Sequence, residues 1–348
     1  MPALSAASLS GIAAVAAGAV LVVMVPLRRW LLRAAVLDHP NARSLHQVPT
    51  PRGGGLAIAG VVGVAHGLIG AWLGVTGALD VRTFTVWTAV ALAFAALGWL
   101  DDRQPRSARA RLLVQAALAT AFVVSTGVLL PPGLATTAAW LWAGGAAFAA
   151  ILIIVWTVNL YNFMDGADGF AALQALCTLA GALLIPGVMD AAPVVLLSTA
   201  LAGAVAGFLC WNRPPARLFM GDAGSYFIGF ELAAFALIEH NAGGRPLIAL
   251  ILFLPFVADA TLTLLRRALS GERWWTAHRS HAYQRLLLGG WSVRRLLAAL
   301  AMLNVLVCWP LAWWAATRPE AEGPALVVCA AIVIALWSLA IARTRSAR

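Results

Sequence analysis

The sequence predicts an all-α, polytopic membrane protein that crosses the bilayer about 11 times, with its N-terminus in the periplasm and its C-terminus in the cytoplasm. Hydrophobic residues make up 62% of the 348 residues and charged residues only 11%, whereas about 25% of a soluble domain is charged. The mean hydropathy is +0.87. This composition excludes soluble, disordered and disulfide-rich secreted proteins.

The individual spans follow from apolar runs of about 20 residues, the length that a transmembrane helix needs. Such runs lie at residues 8–27, 54–75, 84–100, 112–130, 138–158, 170–189, 193–211, 224–240, 246–265, 295–316 and 324–342. The longest segment between them, 266–294, is too short for a soluble domain. We therefore expect one membrane domain over residues 1–348. No basic residue precedes the first run, which favours a retained span over a cleaved signal peptide.

The orientation follows from the arginines, which are the only basic residues apart from histidine. If the segment 28–53 is placed inside, 21 of the 24 arginines lie on that side of the predicted spans. Cytoplasmic loops carry an excess of basic residues, so this side is assigned to the cytoplasm. The net charge of +10 then reflects membrane topology, and no nucleic-acid partner is expected.

Seven of the nine aspartates lie on the same side, within polar clusters. The first cluster is the pair Asp101 and Asp102 at the end of the third span. Adjacent carboxylates repel each other unless they share a cation, and Mg²⁺ is held by one or two carboxylates together with substrate phosphates. The arginines at 103, 106, 109 and 111 could instead neutralise the pair as ordinary ion pairs.

The second cluster has a polar side chain at every third residue, namely Asn159, Asn162, Asp165 and Asp168. On a straight helix the first and last of these would point to opposite sides. The glycines at 166 and 169 indicate that the helix breaks here, so that the four side chains converge on one cavity.

Three further clusters lie in loops. Gly221-Asp222-Ala-Gly224-Ser225 begins the eighth span, where Asp222 is either a helix cap or a ligand for a metal-bound diphosphate. His278, Arg279 and His281 have no cysteine nearby in the sequence, which favours anion binding over zinc binding. Alternatively, this basic loop only fixes the orientation of the chain in the membrane. The segment that contains Asn41, Arg43, His46 and Arg52 leads into Gly53-Gly54-Gly55, and it is either a connecting loop or a phosphate cradle.

Together these clusters predict a cytoplasm-facing site for a Mg²⁺-bound phosphate substrate. The alternative is a transporter or flippase of lipid-linked sugars. That class requires charged or broken positions near mid-membrane and on both sides, and only Glu231 and Asp259 lie well inside the predicted spans.

The motifs resemble those of the polyprenyl-phosphate N-acetylhexosamine-1-phosphate transferases, glycosyltransferase family 4. The resemblance covers residues 38–295. It rests on Asp38-x-Pro-Asn41-x-Arg-Ser44 with Pro51-Arg-Gly-Gly54, on Asp101-Asp102, on Asn159-x-x-Asn162-x-x-Asp165-Gly-x-Asp168-Gly169, on Phe219-Met-Gly-Asp222-x-Gly-Ser225, and on the histidine loop. It implies transfer of a sugar phosphate from a UDP-N-acetyl sugar to undecaprenyl phosphate, with release of UMP, at the bacterial inner membrane.

The resemblance also implies roles for these residues. Asp222 and Asn162 would bind Mg²⁺ or Mn²⁺, and the catalytic carboxylates would be Asp101, Asp102, Asp165 and Asp168. Phe219 would stack on the uracil. The remaining substrate-binding residues would be Asn41, Arg43, His46, Arg52, Asn159, His278, Arg279 and His281. Relatives also suggest a homodimer.

The sequence departs from the family pattern at three points. It shows no features of the muramyl-peptide type, which argues against the branch of the peptidoglycan translocase. Pro105 occupies a position where many relatives carry Asp or Lys, so a nearby arginine would have to replace that group. The loop reads His-Arg-Ser-His from His278, which is more similar to members that start O-antigen chains from 6-deoxy N-acetylhexosamines such as N-acetylfucosamine or N-acetylquinovosamine. Lipopolysaccharide O-antigen synthesis is therefore the expected pathway, with UDP-GlcNAc as the other candidate donor.

Overall fold

The computed structural model describes residues 5–40, 48–75, 80–127, 137–273, 276 and 278–343. The helices are α1 (Ala6–Arg33), α2 (Gly55–Val75), α3 (Val81–Arg103), α4 (Ala108–Thr126), α5 (Thr137–Met164), α6 (Phe170–Leu184), α7 (Ala192–Asn212), α8 (Gly221–Asn241), α9 (Pro246–Leu269), α10 (Ala282–Leu288), α11 (Val293–Leu303), α12 (Trp309–Thr317) and α13 (Glu322–Arg343). A π-helical segment, Asn304–Cys308, joins α11 to α12, and a 3₁₀ turn, Pro319–Ala321, precedes α13. Strands β1 (Leu37–Asp38) and β2 (Thr50–Pro51) pair antiparallel.

In the part of the chain that the structure describes, each predicted apolar run lies wholly or mostly on helix, which confirms the all-α, polytopic class. In the part of the chain that the structure describes, 10 helical segments are long and apolar enough to cross a membrane. The remaining run, expected at 170–189, forms the shorter helix α6 of 15 residues. It stops before Pro186 because the residue that precedes a proline disfavours helical backbone.

Helix α8 occupies the centre of the bundle, where it packs against α2, α3 and α5. Nearly all of its side chains are buried, as expected for a helix that is apolar almost all round. The Phe230 ring stacks on Phe94 of α3 at a centroid distance of 4.9 Å, and Phe122 of α4 meets the same ring edge-on at 5.2 Å. These contacts hold α3 and α4 against α8.

A buried polar cluster joins the same helices within the membrane-spanning region. Glu231 of α8 is fully buried and lies 3.0 Å from His66 Nε2 of α2. Its second oxygen accepts a hydrogen bond from Trp87 Nε1 of α3 at 3.2 Å. Because an unpaired carboxylate would be costly in this environment, these partners make the cluster a polar tie between α2, α3 and α8.

Glycines allow the same helices to meet backbone to backbone at one end of the bundle. A Cβ atom at Gly98 of α3 would overlap the Asp222 carbonyl group, and one at Gly55 of α2 would overlap the backbone of Gly224. The contacts bring the ends of α2 and α3 to the start of α8. The described residues of the polar clusters lie at this end.

Candidate active site

The start of α8 is held by a carboxylate from the end of α3. Asp102 Oδ1 accepts a hydrogen bond from the Asp222 N–H at 2.9 Å, and its Oδ2 accepts one from the Ala223 N–H at 3.1 Å. An anion is favourable at a helix N-terminus, where backbone N–H groups lack helical partners. Gly221 supports this contact, because its φ of +77° suits glycine and a Cβ there would overlap Asp102. The backbone position of Asp222 therefore depends on Asp102.

Arg52 links the two acidic residues. Its Nε lies 2.7 Å from Asp102 Oδ1, and its Nη2 pairs with Asp222 Oδ1. Burial acts against the charged guanidinium, but Asp222 and Asp102 raise the pKa of Arg52 above its ordinary value, so Arg52 is a permanent cation. The loop that carries it is held by the Phe219 carbonyl, which accepts hydrogen bonds from Gly53 N–H at 3.2 Å and Gly54 N–H at 2.9 Å.

Asn162 reaches the same point from α5. Its Nδ2 donates to Asp222 Oδ1 and to Ser225 Oγ, both at 2.9 Å. Helix α5 ends at Met164, as the glycine pattern predicts, and Gly169 adopts a φ of +74° before α6 begins. The helix break thus places Asn162 at the end of its helix, facing Asp222.

Asp165 follows directly after α5 and faces the same group of charges. Burial and the neighbouring carboxylates of Asp222 and Asp102 raise the pKa of Asp165 well above its usual range, although Arg52 acts in the opposite direction. Asp168 points elsewhere: its Oδ2 accepts a hydrogen bond from the Ala216 N–H at 2.9 Å, in the turn between α7 and α8.

The two residues of the Asp101-Asp102 pair have different partners. Asp101 Oδ2 lies 2.7 Å from Arg111 Nη1 of α4, and its Oδ1 accepts a hydrogen bond from the Arg106 N–H at 2.7 Å. The sequence did not decide which arginine neutralises each carboxylate. In the structure Arg111 pairs with Asp101, and Arg52 pairs with Asp102.

The remaining residues of the second cluster and the aromatic candidate lie around this centre. Asn159, one turn before Asn162, donates from Nδ2 to Gln115 Oε1 at 2.6 Å and to the Val155 carbonyl at 2.7 Å. The half-buried Phe219 lies beside Arg52 in a short parallel bridge.

The histidine loop is fixed by Asp259 of α9. Asp259 accepts hydrogen bonds from the Ala282 N–H at 2.7 Å and the Tyr283 N–H at 3.1 Å, which anchors the start of α10. His281 is buried and its ring lies 4.9 Å from that of His278. Burial, His281 and two nearby arginines lower the pKa of His278 to about 3, so it is neutral at pH 7.

Two contacts connect this loop to the helix break. The Tyr283 hydroxyl donates to the Phe163 carbonyl at 3.1 Å, and the Phe163 ring lies 6.3 Å from that of His281. Arg279 is exposed at the surface of the loop. Asn41, Arg43 and His46 lie outside the residues that the structure describes.

Sequence reasoning did not select Ser225 and Arg111 as site residues. Ser225 belongs to the Gly-Asp-x-Gly-Ser motif, so its spacing of three from Asp222 on a helix was an available signal. Arg111 was one of four arginines that could neutralise the Asp101-Asp102 pair, but it lies ten residues after Asp101, beyond a helix break, and the sequence did not single it out.

Carboxyl groups outnumber basic side chains at this centre. Asp101, Asp102, Asp165 and Asp222 are grouped with two guanidinium groups, those of Arg52 and Arg111. Within the described ranges no cluster contains three or more His, Cys, Asp or Glu side chains arranged to bind a metal. Mg²⁺ usually keeps several waters and needs only one or two carboxylates with substrate phosphates. The oxygens of Asp222 and Asn162, beside an excess of carboxyl groups over basic side chains, fit such a cation.

Comparison with known proteins shows one consistent similarity. Residues 84–240 match the model of glycosyl transferase family 4. A decaprenyl-phosphate N-acetylglucosaminephosphotransferase of Mycobacterium tuberculosis is 32% identical over 307 residues, which cover 78% of this chain and 73% of the relative. A probable undecaprenyl-phosphate N-acetylglucosaminyl 1-phosphate transferase of Bacillus subtilis is 30% identical over 286 residues, 79% of this chain and 76% of the relative. A phospho-N-acetylmuramoyl-pentapeptide-transferase of a Synechococcus strain is 31% identical over 320 residues, which cover 83% of this chain and 86% of the relative.

Proposed function

The chain belongs to glycosyl transferase family 4, and on this premise we propose that it transfers an N-acetylhexosamine phosphate from a UDP-sugar to undecaprenyl phosphate. A phosphate oxygen of the lipid attacks the β-phosphorus of the UDP-sugar. The bond from that phosphorus to the bridging oxygen breaks, and UMP leaves with the electron pair. The observation that carries the proposal is the convergence of Asp102, Asp222, Asn162 and Arg52 at one end of a membrane bundle.

The charged and polar residues of the site would have different roles in the transfer. Phosphoryl transfer depends mostly on positioning and on neutralising charge. Arg52 would bind phosphate oxygens, since its planar guanidinium matches their geometry. Asp222 and Asn162 would hold Mg²⁺ or Mn²⁺, which supplies positive charge to the diphosphate when it is bound. Asp102 would keep Asp222 in place through the backbone, and Asp101 would accept the proton of the lipid phosphate.

Residues around the centre would recognise the donor. Phe219, half-buried beside Arg52, would stack on the uracil, and Asp165 and Asp168 would orient the nucleotide. His278, Arg279 and His281 would contact the diphosphate or the sugar. Asn159 and the segment with Asn41, Arg43 and His46 would complete the binding surface.

The location follows from the same proposal. We place the site at the cytoplasmic face of the bacterial inner membrane, where the arginine distribution puts this end of the bundle. The product would begin an envelope glycan, and the His-Arg-Ser-His loop favours an O-antigen chain of lipopolysaccharide. The donor sugar would be GlcNAc or a 6-deoxy N-acetylhexosamine, and the enzyme would act as a homodimer.

The test is release of UMP by the purified protein with undecaprenyl phosphate and a panel of UDP-sugars. We expect release that requires the lipid phosphate and a divalent cation and that is fastest with one UDP-N-acetylhexosamine. Asp222→Asn should abolish it. Asp190→Asn, an exposed change in the loop between α6 and α7, should not. Movement of lipid-linked sugar across vesicles without UMP release would support the transporter alternative and overturn the proposal.

A further inference from the structure

A cationic cavity lies at the same end of the bundle, and its lining residues differ from those of the candidate active site. It is a cavity of about 420 Å³ between the end of α7, the turn that follows it and the start of α11. It is lined by Arg213, Arg217 and Arg294, together with Trp211 and the Pro214-Pro215 pair. Among the residues that the structure describes, no acidic side chain lines the cavity.

The three arginines have no counter-charge in the described part of the chain. All are exposed, and none of their guanidinium groups forms a hydrogen bond or an ion pair there. Three guanidinium groups around one cavity repel each other, and an anion between them would relieve that repulsion. Arginine presents paired N–H donors that match the oxygens of a phosphate. The lining therefore points to a phosphate-bearing ligand.

The turn that carries two of these arginines is held in place by its backbone. The Arg217 N–H donates to the Trp211 carbonyl at 2.8 Å, and Arg28 Nε donates to the Arg217 carbonyl at 3.3 Å. The Ala216 N–H donates a hydrogen bond to Asp168 Oδ2, and Asn212 Nδ2 donates one to the Leu218 carbonyl at 3.0 Å. The arginines thus project from a fixed frame, which lowers the entropy cost of binding.

The position of the cavity identifies the source of the phosphate. It lies where two membrane-spanning segments, 192–212 and 293–317, end at the same surface. Trp211 lies in the last turn of α7 beside the exposed Cys210, and tryptophan is typical of the membrane interface. Basic pockets between transmembrane helices at this level bind the headgroups of anionic lipids.

We propose that Arg213, Arg217 and Arg294 bind the phosphate of an anionic phospholipid headgroup. A bound lipid would stabilise the turn between α7 and α8. This turn contains Phe219, which pairs with Arg52 in the parallel bridge. This inference is independent of the proposed transferase activity, because it concerns a lipid that is not consumed.

The test is native mass spectrometry of the detergent-purified protein with phosphatidylglycerol, with phosphatidylcholine and with inorganic phosphate as a competitor. The triple variant R213Q/R217Q/R294Q is compared with R29Q/R33Q/R109Q, which removes the same charge from exposed arginines at the same end. A basic residue near an anionic surface contributes about a fivefold gain in affinity, so the pocket variant should bind phosphatidylglycerol about a hundredfold more weakly. The control variant should keep most of its binding.

Three results would overturn the inference. Equal losses in both triple variants would mean a diffuse electrostatic field. Equal binding of phosphatidylcholine and phosphatidylglycerol by the wild type would exclude headgroup selection. Displacement of the lipid by millimolar inorganic phosphate would assign the pocket to a soluble anion. Unchanged thermal unfolding of the pocket variant ensures that a loss is not caused by misfolding.

Discussion

Replacing Asp102 by Asn changes the carboxylate that holds the start of α8 while keeping its shape. In the wild type this side chain is fully buried and accepts from three donors, Arg52 Nε and the N–H groups of Asp222 and Ala223. An asparagine offers one acceptor oxygen, so its amide group must face at least one of these donors. We expect Asp222 and Arg52 to move from their positions in the site.

The size of the effect follows from the bonds that are lost. A hydrogen bond to a charged group contributes about 1.5–3 kcal/mol. Losing one such bond, and placing two donors against each other, should cost about 2–4 kcal/mol. If this cost falls on the transition state, the rate decreases by a factor of about 30 to 1,000, because about 1.4 kcal/mol corresponds to tenfold.

The assay is UMP release by the purified variant, with thermal unfolding measured in parallel. Asp80→Asn is a matched control, since Asp80 caps the opposite end of the same helix and accepts from the N–H groups of Arg82 and Thr83. Asparagine caps helices as well as aspartate does, so this variant should retain activity. Near-normal UMP release by Asp102→Asn would refute the reasoning.

Two further substitutions test the packing that brings the site together. Gly98→Ala should lower both activity and thermal stability, because its Cβ would overlap the backbone of α8. A Cβ at Gly60 of α2 meets no atom of the described residues within 4 Å, so Gly60→Ala should behave as the wild type. Equal stability of the two variants would contradict the close approach. Glu231→Leu should destabilise the protein by about 2–4 kcal/mol, because it leaves His66 Nε2 and Trp87 Nε1 unpaired in the membrane interior. In denaturation measurements the double variant His66→Leu/Glu231→Leu should recover part of that loss, and no recovery would argue against the pairing.

Much of the fold was predictable because lipid imposes strict demands on a sequence. Apolar runs of sufficient length predicted every main helix, and glycines at 166 and 169 predicted the break after α5. The predicted length of α6 was less accurate, because the apolar run continues through Pro186 whereas the helical backbone ends before it. The sequence also contained the candidate active-site residues as polar clusters in a chain that otherwise has few of them.

The sequence by itself determined which residue types are available at the site and near which helix ends they lie. It could not determine which partner each one has. Asp101 and Asp102 are adjacent, yet one step along a helix turns a side chain by about 100°. One carboxylate therefore meets Arg111 on α4, and the other meets Arg52 and the start of α8. Only the packing of α3 between helices that are distant in sequence decides this assignment, because it sets what lies opposite each face.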